Sequence, residues 1–371
     1  MGGEVRVEPE ASRRDRRAFL DLPYRLYRRH PVWVPPLRMA DAALMNRGKN
    51  PFFKHAAVEH FLARRDGRVV GRIAAIENRL HNEFHGDRLG FFGFFEVEPD
   101  REAASLLVNA ARTWCTARSL APMRGPVCYS TNDPCGVLVE GFERRPMILM
   151  PYNRPDYDGL LKGAGLLPAK DLVALWIDTS IEPPERFRRV VGRMTERAGL
   201  VLRSVDMKRF DEEVQVLKDV YNRSWERNWG FVPATGEEFD HSAKDLKMII
   251  EPDLSSIAER DGKPVGFCAV IKDLNEVLAR MNGRLFPFGL FRLLFGLKRI
   301  RATRIVALGV VPEARGRAIT EGFFLRAMDA ARTKGYAGGE AGWVLADNER
   351  MLSPILAAGG VVTKRYRLYE G

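Results

Sequence analysis

Long apolar runs are missing from this chain. No stretch reaches the ~18 residues a membrane-spanning helix needs. Paired cysteines are missing too. Cys115, Cys128, Cys135 and Cys268 are scattered without a CxxC pair, which speaks against a disulfide framework or a cysteine zinc site. The six histidines lack metal-ligand spacing, so no metal is expected. His81, Glu83 and His85 read as a polar strand face or a loop. The opening residues, MGGEVRVEPEASRRDRR, have no apolar core of a signal peptide, and a cytoplasmic location is expected. Zinc-finger, RNA-binding aromatic and long basic-tail signatures are absent, so nucleic acid is not expected as a partner.

What is present is charge and enough apolar content for two domains. The 371 residues are 46% hydrophobic and carry a net charge of +11. Such a surface favours polyanions: nucleic acid, anionic lipid or a phosphorylated cofactor. The stretch Arg304 to Arg332 organises the chain. An apolar, β-branched run, Ile305 to Val311, enters a basic turn, Arg315-Gly316-Arg317-Ala318-Ile319. An amphipathic helix follows, with Phe323, Phe324, Ala327, Met328 and Ala331 on its apolar side. Strand, cationic turn and helix start together suit an anion, because a helix N-terminus offers unpaired N–H groups and a positive dipole end.

The chain also repeats itself. LARRDGRVVGRIAAI (Leu62 to Ile76) matches IAERDGKPVGFCAVI (Ile257 to Ile271), 195 residues on. LLKGAGLLPAK (Leu160 to Lys170) matches ILAAGGVVTKR (Ile355 to Arg365) at the same offset. Asn153 pairs with Asn348 at that offset, and RRHPVWVPP (Arg28 to Pro36) resembles ERNWGFVPA (Glu226 to Ala234). The unit reads as helix, hairpin, strand, helix, strand, helix, strand, occurring twice. The Pro-Pro pair in DTSIEPPERFRR marks a linker. The expected division is 1–178, a linker helix at 179–195, and 196–371.

This unit resembles the GNAT superfamily of acyl-CoA-dependent N-acyltransferases. The superfamily motif is Arg or Gln, two residues, Gly, one residue, then Gly or Ala. Arg315, Ala318 and Thr320 fall on those positions, Asn348 opens the following helix, and Gly359-Gly360 leads into the last strand. The resemblance implies an α/β fold of two tandem GNAT-like domains, each a mostly antiparallel sheet flanked by helices. It implies that acyl-CoA or acetyl-CoA is the co-substrate. Val310, Val311, Arg315, Gly316, Arg317, Ala318, Ile319, Thr320 and Asn348 would bind it, with the turn's amides on the pyrophosphate. Both motif glycines are replaced, and a methyl group at 318 is expected to be tolerated if φ stays negative. The tyrosine acid common in the last helix is absent. In the first half the loop carries Glu98, Pro99, Asp100 and Glu102, which would repel a phosphate, so that copy is read as having lost coenzyme binding. The whole-length plan is similar to bacterial acyl-CoA N-acyltransferases, a group that includes ceramide synthases, which acylate a sphingoid amine.

An insertion, NGRLFPFGLFRLLFGLKRIRATR (Asn282 to Arg304), has no counterpart in the first half. Leu285, Phe286, Phe288, Leu290, Phe291, Leu293, Leu294, Phe295 and Leu297 crowd thirteen positions, with arginines and lysines at the rim. Residues 284–301 suit peripheral contact with the inner face of a membrane or a lipid substrate; a flap packed on the core or on a second copy is the alternative.

Amide formation from a thioester needs a base for the amine and N–H donors for the oxyanion. Glu340, on the strand after the organising helix, is the nearest carboxylate; a structural carboxylate fits it equally. Asn348 could order a water or cap its helix. Tyr129, Asn132, Asp133, Tyr152, Asn153 and Trp229 are candidates for a cleft between the halves that takes a small-molecule or lipid amine; turn-building and core packing explain them as well. The first expectation is N-acyl transfer. A silent GNAT-fold protein that binds a ligand, membrane or partner is the second, and aminoacyl transfer as in FemABX enzymes the third.

Overall fold

The computed structural model describes residues 3–225, 229–287 and 289–371. Phe288, and Glu226 to Asn228 of the ERNWGFVPA match, lie outside the described residues.

The chain forms two compact units. The first comprises residues 1–171, 278–286 and 364–371; the second comprises 172–277 and 287–363. Two strands, Leu167–Asp178 and Val361–Glu370, each pass from one unit's residues to the other's.

In the first unit Val5–Pro9, Ala56–Arg65, Arg68–Asn78 and Gly90–Val97 pair antiparallel in that order. Gly90–Val97 then pairs parallel with the short Met123–Gly125, which takes the end of Val361–Glu370 as an antiparallel neighbour. Helix Arg101–Thr116 covers the sheet, with Ala103, Ala104, Leu107, Val108, Ala111 and Cys115 buried at helical spacing.

The second unit repeats this. Leu200–Ser204, Ser256–Arg260, Lys263–Lys272 and Ala302–Val310 are antiparallel. Ala302–Val310 then pairs parallel with Gly338–Leu345, which is antiparallel to residues 172–178. Helix Ile319–Lys334, 16 residues like its counterpart, buries Phe323, Phe324, Ala327, Met328 and Ala331. Phe323 has no exposed surface, so truncating it to alanine would cost about 3–5 kcal/mol.

The repeat is visible in the backbone. Both hairpins turn on Asp-Gly with positive φ at both residues: Asp66 52° and Gly67 75°, then Asp261 53° and Gly262 72°. That is the turn whose twist suits two flanking strands. One expectation is overturned. His81, Glu83 and His85 lie on a helix, Arg79–His85, not on a strand or loop. Asn78 caps it by accepting from the His81 N–H, and Gly86 at φ 65° ends it. Side-chain capping overrode the alternating pattern, and His81 is buried at 1%.

Candidate active site

The organising stretch of the second unit begins with a strand that loses its neighbour. Parallel pairing of Ala302–Val310 with Gly338–Leu345 runs from Ala302–Gly338 to Ile305–Ala341 and stops. Beyond that point Ala302–Val310 is paired on the Lys263–Lys272 side alone among the described residues. The break coincides with a β-bulge. Ala307 pairs with Ala269 and Ile305 with Val270, so Val306 is the extra residue. A strand edge opened in this way offers backbone N–H and C=O groups to a ligand. Trp225 donates its indole N–H to Leu308 O at 3.0 Å, and Arg315 Nε donates to Val310 O at 3.2 Å.

The turn after the strand is built by its own arginines. A single 3₁₀ turn, Pro312–Ala314, leads to Arg315, whose second nitrogen donates to Ser224 O at 2.6 Å. Arg317 donates to the Glu313 carbonyl. Gly316 has φ 75°, and a Cβ there would meet nothing within 4 Å, so the loop faces open space at this point. Val311 is wholly buried, Val310 and Arg317 are half-buried, and Arg315 is exposed. The resemblance implies these arginines as coenzyme ligands. Arg315 also holds the turn to the end of helix Phe210–Trp225.

The helix start is open. Ala318 is its N-cap, with φ 58° and ψ 26°, and no side chain caps it. The first intrahelical bond runs from Gly322 N–H to Ala318 O. The N–H groups of Ile319, Thr320 and Glu321 therefore precede the helical ladder. A negative φ, the condition attached to a methyl group at 318, is not met. The chain reverses here between Gly316 and the helix, and a left-handed residue is what the turn requires. An alanine in that conformation costs about 1–2 kcal/mol. Its methyl group regains part of this by packing with Val191 and Leu325.

The same position in the first unit is closed. Asp100 caps helix Arg101–Thr116 by accepting from Ala103 N–H at 3.0 Å. Arg65 donates to Asp100 at 2.8 Å and to Glu102 at 2.7 Å. Burial alone would raise the Asp100 carboxyl, but the Ala103 N–H and the Arg65 guanidinium outweigh it and hold it below its ordinary value. A carboxylate thus fills the anion position of that helix.

Glu340 lies at 1% exposure on Gly338–Leu345 and is the register partner of Arg304, itself 4% exposed. Paired residues on neighbouring strands leave the sheet on one face, so two opposite charges sit side by side in the interior. Arg304 also donates to Gly342 O at 2.8 Å. A base must come within hydrogen-bond reach of the amine, and this carboxylate is directed into the protein. Asn348 is half-buried and caps helix Glu349–Ala357, accepting from Met351 N–H at 3.3 Å.

The candidates for an amine cleft divide. Tyr129 is buried, with φ 82°, its ring stacked on Phe52 at 5.2 Å and its hydroxyl 3.3 Å from His60 Nε2. Tyr152 donates to Phe142 O at 3.1 Å. Asn153 clamps Leu138, accepting from its N–H at 2.7 Å and donating to its carbonyl at 3.1 Å. Asn132 is exposed and Asp133 half-buried on the strand Ser130–Cys135, and Asn132 N–H donates to Ser130 Oγ. Trp229 is half-buried in the turn after helix Phe210–Trp225. Ser224 and Trp225, which seat the turn and the open strand, were not foreseen as site residues. Trp225 lies 83 residues from Leu308, and no local pattern links them.

The insertion contains a helix, Gly289–Leu297. Leu293 is buried, and a Cβ on Gly296 would meet Val277 at 2.7 Å, so that side packs closely. The opposite side is apolar and open: Leu290, Phe291, Leu294 and Phe295 are 38, 61, 51 and 69% exposed. Lys298, Arg299 and Arg301 follow it and are exposed. Among the described residues no helix is long and apolar enough to cross a membrane.

No protein-family model matches the chain. It is 37% identical to the bacterial ceramide synthase of Caulobacter vibrioides over 99% of this chain and 97% of that protein. It is 32% identical to protein YghO of Escherichia coli over 97% of this chain and 93% of that protein. Among solved structures, a tandem GNAT protein from the clavulanic acid biosynthesis pathway matches with a TM-score of 0.55 at 16% identity, over 99% of this chain and 98% of the other. That likeness establishes the fold: two GNAT units in tandem. The chain belongs to the family of tandem GNAT-fold acyltransferases that includes the bacterial ceramide synthase of Caulobacter vibrioides.

Proposed function

We propose that this protein transfers an acyl group from a coenzyme A thioester to an amine, and that the acyl chain or the amine is lipid-like. The observation that carries the reading is the contrast between the two helix starts. Ala318 leaves one open, beside arginines and an unpaired strand edge. Asp100 closes the other. Pyrophosphate would sit on the N–H groups of Ile319 to Glu321, and the pantetheine amides would pair with the strand beyond Ile305, adding a pseudo-strand. The N–H groups around the Val306 bulge are the candidates to polarise the thioester carbonyl. The first unit would carry no coenzyme. The exposed Leu290, Phe291, Leu294 and Phe295 with their basic flank, and the word ceramide in the name of the Caulobacter relative, support a lipid partner.

The test is calorimetric titration of acetyl-CoA and palmitoyl-CoA into the purified protein. Palmitoyl-CoA is expected to bind the more tightly; if neither thioester binds, the proposal fails. A second reading has its own observation. The left-handed Ala318 places a methyl group in the loop, Glu340 is buried beside Arg304, and the Asn348 carbonyl oxygen is taken up in capping its helix. On that reading the protein holds an acyl-CoA without turning it over. Release of free coenzyme thiol on adding long-chain amines separates the two.

The apolar helix gives a further prediction. Phe291→Ser with Phe295→Ser is expected to leave stability within about 0.5 kcal/mol, as for exposed positions generally. It is expected to lower co-sedimentation with vesicles containing anionic lipid by about tenfold or more, because two phenyl groups no longer leave water. Unchanged sedimentation would remove the membrane from the proposal.

A further inference from the structure

A second constellation lies entirely within the first unit. Glu96, on strand Gly90–Val97, has one carboxylate oxygen held by two tyrosines. Tyr27 and Tyr157 both donate to its Oε2 at 2.7 Å. Both tyrosines are 1% exposed, and Tyr157 is fixed further by accepting from Val97 N–H at 3.0 Å. Tyr27 is stacked on Trp33, with ring centres 5.2 Å apart. The carboxylate is therefore held in one orientation by two buried hydroxyls. Its other oxygen, Oε1, has no hydrogen-bond partner among the described residues, although the residue is half-accessible.

The cation opposite does not satisfy it. Arg72 is the register partner of Glu96, yet donates to Phe19 O at 2.6 Å and lies over the Phe19 ring at 4.7 Å. Arg154 is committed to Asp156 and to Val97 O. Burial lifts the Glu96 carboxyl above its ordinary value against the pull of Arg72, the two tyrosines and Arg154. The strand is also strained beside it. Arg72 pairs with Glu96 and Ala74 with Gly93, so an extra residue bulges between them, and Phe94 there has φ 53°. A bulky residue at positive φ persists only where its surroundings impose it, and such strain gathers at binding sites. The bulge occupies the strand that corresponds to Ala302–Val310 of the second unit, where Val306 bulges.

We infer that the open Glu96 oxygen is a recognition point for a primary ammonium group, and that the first unit takes the acceptor amine there. The assignment to the acceptor rests on the acyl-transfer reading above. A partly desolvated carboxylate with one free oxygen gains a charge-assisted hydrogen bond from an ammonium, and two tyrosines hold it ready. Nothing else in the site asks for covalent chemistry.

Dodecylamine is the probe, with dodecanol as the uncharged control, both titrated into the full chain. Dodecylamine is expected to bind wild type about ten- to a hundredfold more tightly than Glu96→Gln, the loss typical of a hydrogen bond to a charged group. Dodecanol should not distinguish the two. Equal dodecylamine affinity in both proteins overturns the inference. Should Glu96→Gln not fold, Tyr27→Phe carries the test, since it keeps the carboxylate and Tyr157. A severalfold loss then supports the site and an unchanged affinity overturns it. Palmitoyl-CoA titrated in parallel separates the two proposals. If the thioester binds and dodecylamine does not depend on Glu96, the ammonium site alone falls. If dodecylamine depends on Glu96 and no thioester binds, the acyl-transfer reading falls and the ammonium site stands.

Discussion

Thr320→Glu is expected to abolish coenzyme A binding while leaving the protein as stable as before or slightly more so. Thr320 is the second residue of helix Ile319–Lys334, half-exposed in its first turn. Glu102 holds that place in helix Arg101–Thr116 of the first unit, so the substitution transplants a feature of the closed copy. A carboxylate in the first turn complements the helix dipole and contributes about 0.3–1 kcal/mol to folding. Against a bound pyrophosphate it acts the other way. Two like charges ~5 Å apart near a protein surface repel by about 3 kcal/mol. The expected loss in affinity for palmitoyl-CoA is therefore at least about a hundredfold. Stability and affinity moving in opposite directions cannot come from partial unfolding. Thermal melting and calorimetry on one preparation read both, and unchanged affinity would remove the coenzyme from this loop.

Removing Glu340 is expected to damage the fold more than the chemistry. Glu340 and Arg304 are buried register partners, and taking one charge from a buried pair leaves the other uncompensated, at a cost of about 3–5 kcal/mol. Glu340→Leu alone and Arg304→Met alone should each lose about that much in urea unfolding. The double variant should recover most of it, because an apolar pair of similar volume has no charge to desolvate. If Glu340→Gln instead keeps full stability while acyl transfer falls by orders of magnitude, the carboxylate acts on substrate and the structural reading of this pair is wrong.

Local order was legible in this sequence, and contacts between distant segments were not. The Asp-Gly hairpins at 66–67 and 261–262 announce themselves because that dipeptide readily adopts the required positive φ values. The strand, turn and helix could be placed because a β-branched run, arginines and a helical period succeed one another within 29 residues, 304–332. The carboxylate cap of the first unit was readable from Asp100 and Glu102 for the same reason. The left-handed Ala318 was not legible, since alanine carries no sign of it and only the path of the turn imposes it. Nor was the Glu96 cluster. Tyr27, Glu96 and Tyr157 meet across separations of 69 and 61 residues, each an ordinary residue in its own window. Tyr129, Tyr152 and Asn153 were polar residues in a Gly- and Pro-rich stretch, where cleft lining and internal bracing look alike until partners are seen.

The exchange of strand ends bears on how the molecule comes off the ribosome. Residues 364–371 belong to the first unit, where Tyr369 is fully buried and donates to Asp158 at 2.5 Å, and Arg124 meets Glu370 across 246 positions. Closing a loop of that length must precede any gain from those contacts. The first unit thus cannot complete its sheet before residues 364–371 have emerged, even though nearly all of its residues emerge earlier. It waits, with part of its core exposed, until the second unit has been made.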